Sequence, residues 1–225
     1  MKTILMLVFA ANALLAQNYE IEKLKGDVKF ILPEQNNWQK VISKSSVTEN
    51  TIVSTDNNSS ARITGAGFNF ILKDGAALST SSLKIISLDD LIMALALDKV
   101  MNAPRKKENN KSESTSVYGD KLGAANEIIQ SNDFGIKRIN GAKQLAENGF
   151  VESAIVSAKE IFRKYPKVAM DASNRIYFAD LLYNKKLYDE ALEEYNAIKM
   201  LGISESQKKE IDNKISSINK ILLKN

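Results

Sequence analysis

Between Ser59 and Ile86 the chain alternates. Phe68, Phe70 and Leu72 take turns with Asn69 and Lys73, and Ala61 and Ile63 with Arg62 and Thr64. A period of two gives each strand an apolar face and a largely wet one. Asp74-Gly75 follows, the dipeptide that a two-residue hairpin favours because its turn needs positive φ. The pattern predicts three short strands here, two joined by that turn, with Leu83, Ile85 and Ile86 in the last. Upstream, Val28, Phe30 and Leu32 share one strand face. Trp38 and Val41-Ile42 suggest a second strand, with Lys40 pointing the other way. Val47 and Ile52-Val53 are apolar islands, and Asp56 to Ser59 reads as a loop whose Asx residues satisfy local backbone groups. Short strands at close spacing predict an all-β sandwich or roll.

After Ile86 the period changes. Ser87 and Asp90 form a capping-box-like start for a helix from Leu88 to about Asn102. Leu88, Leu91, Ile92 and Leu95 fall on one face, and Met93, Leu97, Val100 and Met101 extend apolar cover around much of the rest. Such a helix wants contacts on more than one side. Those contacts are either the two flanking parts of the chain or a partner met through an adaptable, Met-bearing face. Pro104 ends the helix. Arg105 to Asp120 is polar and charged and reads as a flexible linker. Its Arg105-Lys106-Lys107 cluster is diluted by Glu108 and Glu113, which favours solvation. A short helical pattern spans Leu122 to Gln130. Paired helices then follow at about Phe134–Asn148 and Phe150–Tyr165, and at Asp171–Asn184 and Tyr188–Leu201. A last helix runs from Ser204 to Leu223 with an Ile211, Ile215, Ile218, Leu222 stripe.

Composition narrows the chemistry. The formal charge of +4 over 225 residues gives no electrostatic reason to expect nucleic acid. No Cys is present, so disulfides and thiolate metal sites are excluded, and no His is present, which removes the commonest general base near neutral pH. Ser81 stands three before Lys84, as in some acyl enzymes, but in a strand pattern that sends the two to opposite faces. Adjacent acids such as Asp89-Asp90 and Glu193-Glu194 are splayed apart by a helix. No metal-ligand spacing stands out. We therefore expect no catalytic residue, cofactor or metal, and a chain that is not an enzyme.

The N-terminus reads as an address. Met1-Lys2-Thr3 precedes an apolar run from Ile4 to Leu15, and Ala13-Leu14-Leu15-Ala16 precedes polar Gln17-Asn18. This is the pattern of a secretory signal peptide, with cleavage after Ala16 or at Ala11-Asn12-Ala13. The run is shorter than the roughly 20 residues that span a bilayer, and no second run of spanning length follows. The expected organisation is a signal peptide at 1–16, a β-domain with its junction helix at 18–103, a linker at 104–120 and a helical domain at 121–225. The expected location is periplasmic or otherwise extracytoplasmic.

Two resemblances follow from ordered motifs. Leu24-x-Gly26-x-Val28, Trp38, Thr51-Ile52-x-x-Thr55, Ser60-Ala61-Arg62-Ile63 and Asp74-Gly75-x-x-Leu78, in that order, resemble the FecR-like domain family over roughly Leu24 to Ile86. That resemblance implies an extracytoplasmic β-rich domain, here an accessory domain of a secreted protein. In the helical half, Gly149 to Ala154 aligns with Lys186 to Ala191, about 37 residues on. This is slightly more than the roughly 34 of a tetratricopeptide repeat. Ala142, Leu145, Ala158 and Ile161 align with Ala179, Leu182, Tyr195 and Ile198, and Leu187-Tyr188-Asp189-Glu190-Ala191-Leu192 looks like that family. The resemblance implies TPR-like hairpins whose first helices line a groove. Carried onto this chain, the groove positions are Ile136, Ile139, Lys143 and Ala146, then Ser173, Ile176, Asp180 and Tyr183. The same positions would equally serve to pack on the β-domain or on a capping helix.

The expected fold is thus α+β and multidomain: an N-terminal all-β sandwich or roll, then C-terminal helical hairpin repeats. The expected role is a non-enzymatic scaffold or adaptor that holds a protein partner of the cell envelope. The alternative is a sensory or ligand-binding module that recognises a cell-wall glycan or peptide through the β-domain, with Trp38 as a stacking platform or a core residue.

Overall fold

The computed structural model describes residues 18–33, 35–65, 67–102 and 129–223. The signal-peptide reading and the 104–120 linker lie outside those residues. The N-terminal half is strand and the C-terminal half helix, an α+β architecture.

Among the described residues, eight strands form two four-stranded antiparallel sheets. The strands are β1 (Tyr19–Lys25), β2 (Val28–Ile31), β3 (Gln39–Lys40), β4 (Lys44–Val47), β5 (Ile52–Thr55), β6 (Ser60–Gly65), β7 (Phe68–Leu72) and β8 (Ala77–Ser79). One sheet has the order β4-β1-β6-β7, the other β3-β2-β5-β8. Their buried faces meet: Tyr19, Ile21, Ile63, Phe70 and Leu72 from the first sheet share one cluster with Val28, Phe30, Val53 and Leu78 from the second.

The hairpin expected at Asp74-Gly75 does not form. The β7 strand pairs with β6, and β8 pairs with β5 in the other sheet. Asp74-Gly75 therefore carries the chain between sheets instead of closing a hairpin. Gly75 still adopts the positive φ the turn needs, and its N–H reaches the Asp56 carbonyl at 3.2 Å. Thr55 fastens this crossover, its buried hydroxyl donating to the Lys73 carbonyl at 2.6 Å and accepting from the Ala76 N–H at 3.2 Å. Leu83, Ile85 and Ile86 are not a strand; a 3-10 turn at Thr80–Ser82 ends the sheet. The strands β1 and β4 were not expected. Tyr19 and Ile21 alternate with Glu20 and Glu22 as a half-buried strand should, but sit against the presumed cleavage point.

Helix α1 covers Leu88–Asn102, as its cap predicts. Asp90 N–H donates to Ser87 Oγ at 3.1 Å, and Ser87 N–H returns a bond to Asp90 Oδ2. The remaining helices are α2 (Asn132–Glu147), α3 (Val151–Lys164), the short α4 (Pro166–Ala169), α5 (Ala172–Asn184), α6 (Tyr188–Lys199) and α7 (Glu205–Leu222). Helices α2 and α3 form one hairpin and α5 and α6 a second, with α7 against α6. Residues 37 apart behave alike. Ala142 and Ala179, Leu145 and Leu182, Ala154 and Ala191, Ile161 and Ile198 are all buried. Each hairpin also turns on a left-handed residue, Gly149 in the first and Lys186 in the second.

The helices do not stand apart from the sheets. Phe134, Ile139, Ala142, Leu145, Ala154 and Ile161 belong to the same buried cluster as the strand residues. Phe150 sets its ring against Phe68 and Phe70, with centroids 6.0 and 6.1 Å away. Gly141 lies where a Cβ would sit 2.1 Å from the Ala77 carbonyl oxygen of β8. A second cluster gathers Leu91 and Leu95 of α1 with Ile176, Ala191, Tyr195, Ile198, Ile211 and Ile218.

Candidate functional site

Most of the groove positions are held by neighbouring elements. Ile139 is 1% exposed, in the cluster shared with the sheets, and Ala146 packs on that cluster. Ile176 belongs to the second cluster. Ser173 accepts from Gln207 Nε2 of α7 at 3.2 Å. Asp180 accepts from the Tyr195 hydroxyl and, at 3.1 Å, from Lys214 Nζ of α7. The same ammonium lies 5.0 Å from the Tyr183 ring centroid. Lys143 bridges the hairpins, donating to Asn174 Oδ1 at 2.6 Å and lying 5.6 Å from the Tyr177 ring centroid. Ile136, at 51%, and Ser173 are exposed. The cluster shared with the β-layer thus takes up Ile139 and Ala146 of α2, and α7 contacts the α5 positions.

Two other surfaces carry unsatisfied chemistry. The first is α1. At about 100° per residue, Leu91 and Leu95 point one way and Met93, Leu97 and Val100 the other, with Ile92 on the flank between them. Leu91 and Leu95 are buried, whereas Met93, Leu97 and Val100 are 63%, 57% and 74% exposed. Isolated exposed apolar side chains are ordinary, but a contiguous row on one helix marks an interaction surface. The row continues into a notch of about 320 Å³ between α1 and α3, lined by Ala94, Leu97, Val156 and the stems of Lys159 and Arg163. Arg163 pairs with Asp98 at 3.3 Å and Lys99 with Glu193 at 2.6 Å, so ion pairs flank the row.

The second is a cleft of about 430 Å³ where β2, β3 and β5 meet the start of α2. Lys29, Lys40, Ser54 and Asp56 come from the sheet side, and Asp133, Phe134 and Lys137 from the helix. Trp38 forms an apolar wall, edge-on to Phe134 with centroids 5.7 Å apart. Asp56 is spoken for: Lys29 Nζ donates to it at 3.1 Å and Lys137 Nζ donates to its other oxygen. Burial pushes the Asp56 carboxyl up, and the two lysines outweigh it, holding the carboxyl below the usual range. Lys40 and Asp133 line the same cleft and form no ion pair or hydrogen bond among the described residues. Trp38 Nε1 is buried and has no acceptor among the described residues, an unmade bond that costs about 1–3 kcal/mol. Trp38 was legible in the sequence as a candidate. The charged partners were not, because Asp56 and Lys137 are 81 residues apart.

Ser81 and Lys84 make no acyl-enzyme pair. Ser81 Oγ shares a hydrogen bond with Ser79 Oγ at 2.7 Å, within the turn that replaces the expected strand. Among the described residues no group of three or more acidic side chains is placed to hold a metal ion, and no helix is long and apolar enough to cross a membrane. In comparison with known proteins, no family model, curated protein or solved structure matches the chain.

Proposed function

We propose that this chain is a non-enzymatic extracytoplasmic adaptor, a FecR-like β-domain joined to two TPR-like hairpins. The burial of equivalent residues 37 apart, and the left-handed turn shared by Gly149 and Lys186, support the repeat reading. The order of strands with turns at Gly26 and Gly75 supports the FecR-like reading. The apolar N-terminal run supports an envelope location.

The observation that carries the adaptor role is the exposed row on α1. Met93, Leu97 and Val100 are presented to solvent on a helix whose opposite stripe is already buried, and Ile92 on its flank is exposed too. The partner is a protein with an apolar ridge that enters the notch beside Leu97, its polar rim meeting the ion pairs of Asp98 and Lys99. The α1 face is preferred to the first-helix groove as the docking surface, because the sheets and α7 cover most of that groove and leave Ile136 and Ser173 exposed. Photo-crosslinkers at Met93 and Leu97 in intact cells should give one discrete adduct. A crosslinker at Ser43 on the sheet should not, and Ile92→Glu should abolish the adduct. Adducts of equal yield from all three positions, or none from α1, would refute the reading.

A further inference from the structure

The cleft beside Trp38 combines three features. Among the described residues it holds one cation and one anion without an ion-pair partner, Lys40 and Asp133. Its remaining charges, Lys29, Asp56 and Lys137, form one bridged network in which two ammoniums share a single carboxylate and one positive charge is left over. Its wall is aromatic, Trp38 backed by Phe134. Its volume of about 430 Å³ lies within the range of small-ligand pockets.

We infer that this cleft binds an apolar zwitterion, a free amino acid or a short peptide with an aliphatic side chain. The ligand carboxylate pairs with Lys40 and its ammonium with Asp133, while the side chain lies against the indole. A purely anionic ligand would leave Asp133 without a partner, and a purely cationic one would leave Lys40 without one. A neutral sugar would leave both without partners. The unpartnered Trp38 N–H gives the ring a hydrogen bond to gain by turning toward a ligand carbonyl. This inference stands apart from the adaptor reading, because α1 contributes nothing to the cleft.

Trp38 is the single tryptophan, so its emission reports on this cleft alone. The full chain should be titrated with L-leucine, Leu-Leu and N-acetyl-Leu-Leu-amide. The first two differ in charge separation and identify which source fits; the third has neither charge. Saturable emission change with L-leucine or Leu-Leu, and about tenfold weaker response to the blocked peptide, is the expected result. Lys40→Met should weaken the free ligand about tenfold yet be indifferent to amidation of its carboxyl end, and Asp133→Asn indifferent to acetylation of its amino end. Both side chains are exposed, and unchanged circular dichroism would confirm that the variants fold. No saturable change with either free ligand, or equal affinity for free and blocked peptide, would overturn the inference.

Discussion

Glu194 sits on α6 between Lys159 of α3 and Arg175 of α5, which it meets through a hydrogen-bonded contact and at 2.6 Å respectively. Burial pushes its carboxyl up, and the two cations pull it further down, so the net pKa lies below the ordinary glutamate value. The folded state therefore holds this proton less tightly than the unfolded chain. The stabilisation is complete above the unfolded pKa of about 4.3 and drains away as pH falls through the folded value. Glu194→Gln should cost about 1–3 kcal/mol at neutral pH in chemical denaturation. That deficit should shrink in acid, where the wild-type carboxyl is itself protonated; a deficit constant with pH would show that the charge is not responsible. Gly141 offers a sharper test of sign. In an open helix, Gly→Ala stabilises by about 1 kcal/mol. Here the added Cβ meets the Ala77 carbonyl at 2.1 Å, so α2 must lift off β8. Gly141→Ala should destabilise, with overpacking of about 1–3 kcal/mol outweighing the propensity gain. The comparison substitution at Gly202, which has open space around it, should not.

Helix limits were legible element by element, because caps and period are local. The predicted starts at Leu88, Tyr188 and just after Ser204 match the observed helices, and Ser204 closes its capping box with Gln207. Strand partners were not legible. Asp74-Gly75 carries a genuine turn signal, yet a turn dipeptide cannot say whether its flanking strands pair with each other or with strands of separate sheets. On α1, the all-round apolar pattern was read correctly, but only packing decides which stripe is covered. Met93→Gln with Leu97→Gln should leave stability within about 0.5 kcal/mol by thermal melting, since neither side chain is buried. Leu91→Ala, on the buried stripe, should cost about 2–5 kcal/mol. Similar losses from both substitutions would mean that the outer row is packed after all.

The strand half and the helical half are joined by more than apolar contact. Gln144 accepts from the Lys73 N–H at 2.8 Å, Asn140 donates to the Gly75 carbonyl at 3.0 Å, and Ser157 meets Ser82 at 3.1 Å. With Leu145 and Phe70 in one cluster, neither half buries its apolar face alone. The chain should therefore unfold in one cooperative step. Trp38 emission, beside the sheets, and far-ultraviolet dichroism, dominated by the helices, should give coincident denaturation curves. Leu145→Ala should shift both curves together by about 2–5 kcal/mol, and separate shifts would show two independent bodies.

What the linear pattern determined was local: the change from period two to period three and four after Ile86, the caps, the 37-residue equivalence, and the absence of His and Cys that removes so much chemistry. Those follow from backbone geometry and side-chain type, which neighbours in sequence already specify. Only the tertiary structure decided that α2 covers the sheets, that α7 fills the α5 face, and that Lys40, Asp133 and Trp38 line one cleft. Each of these depends on segments far apart in the chain finding complementary surfaces, and no short-range period encodes that choice.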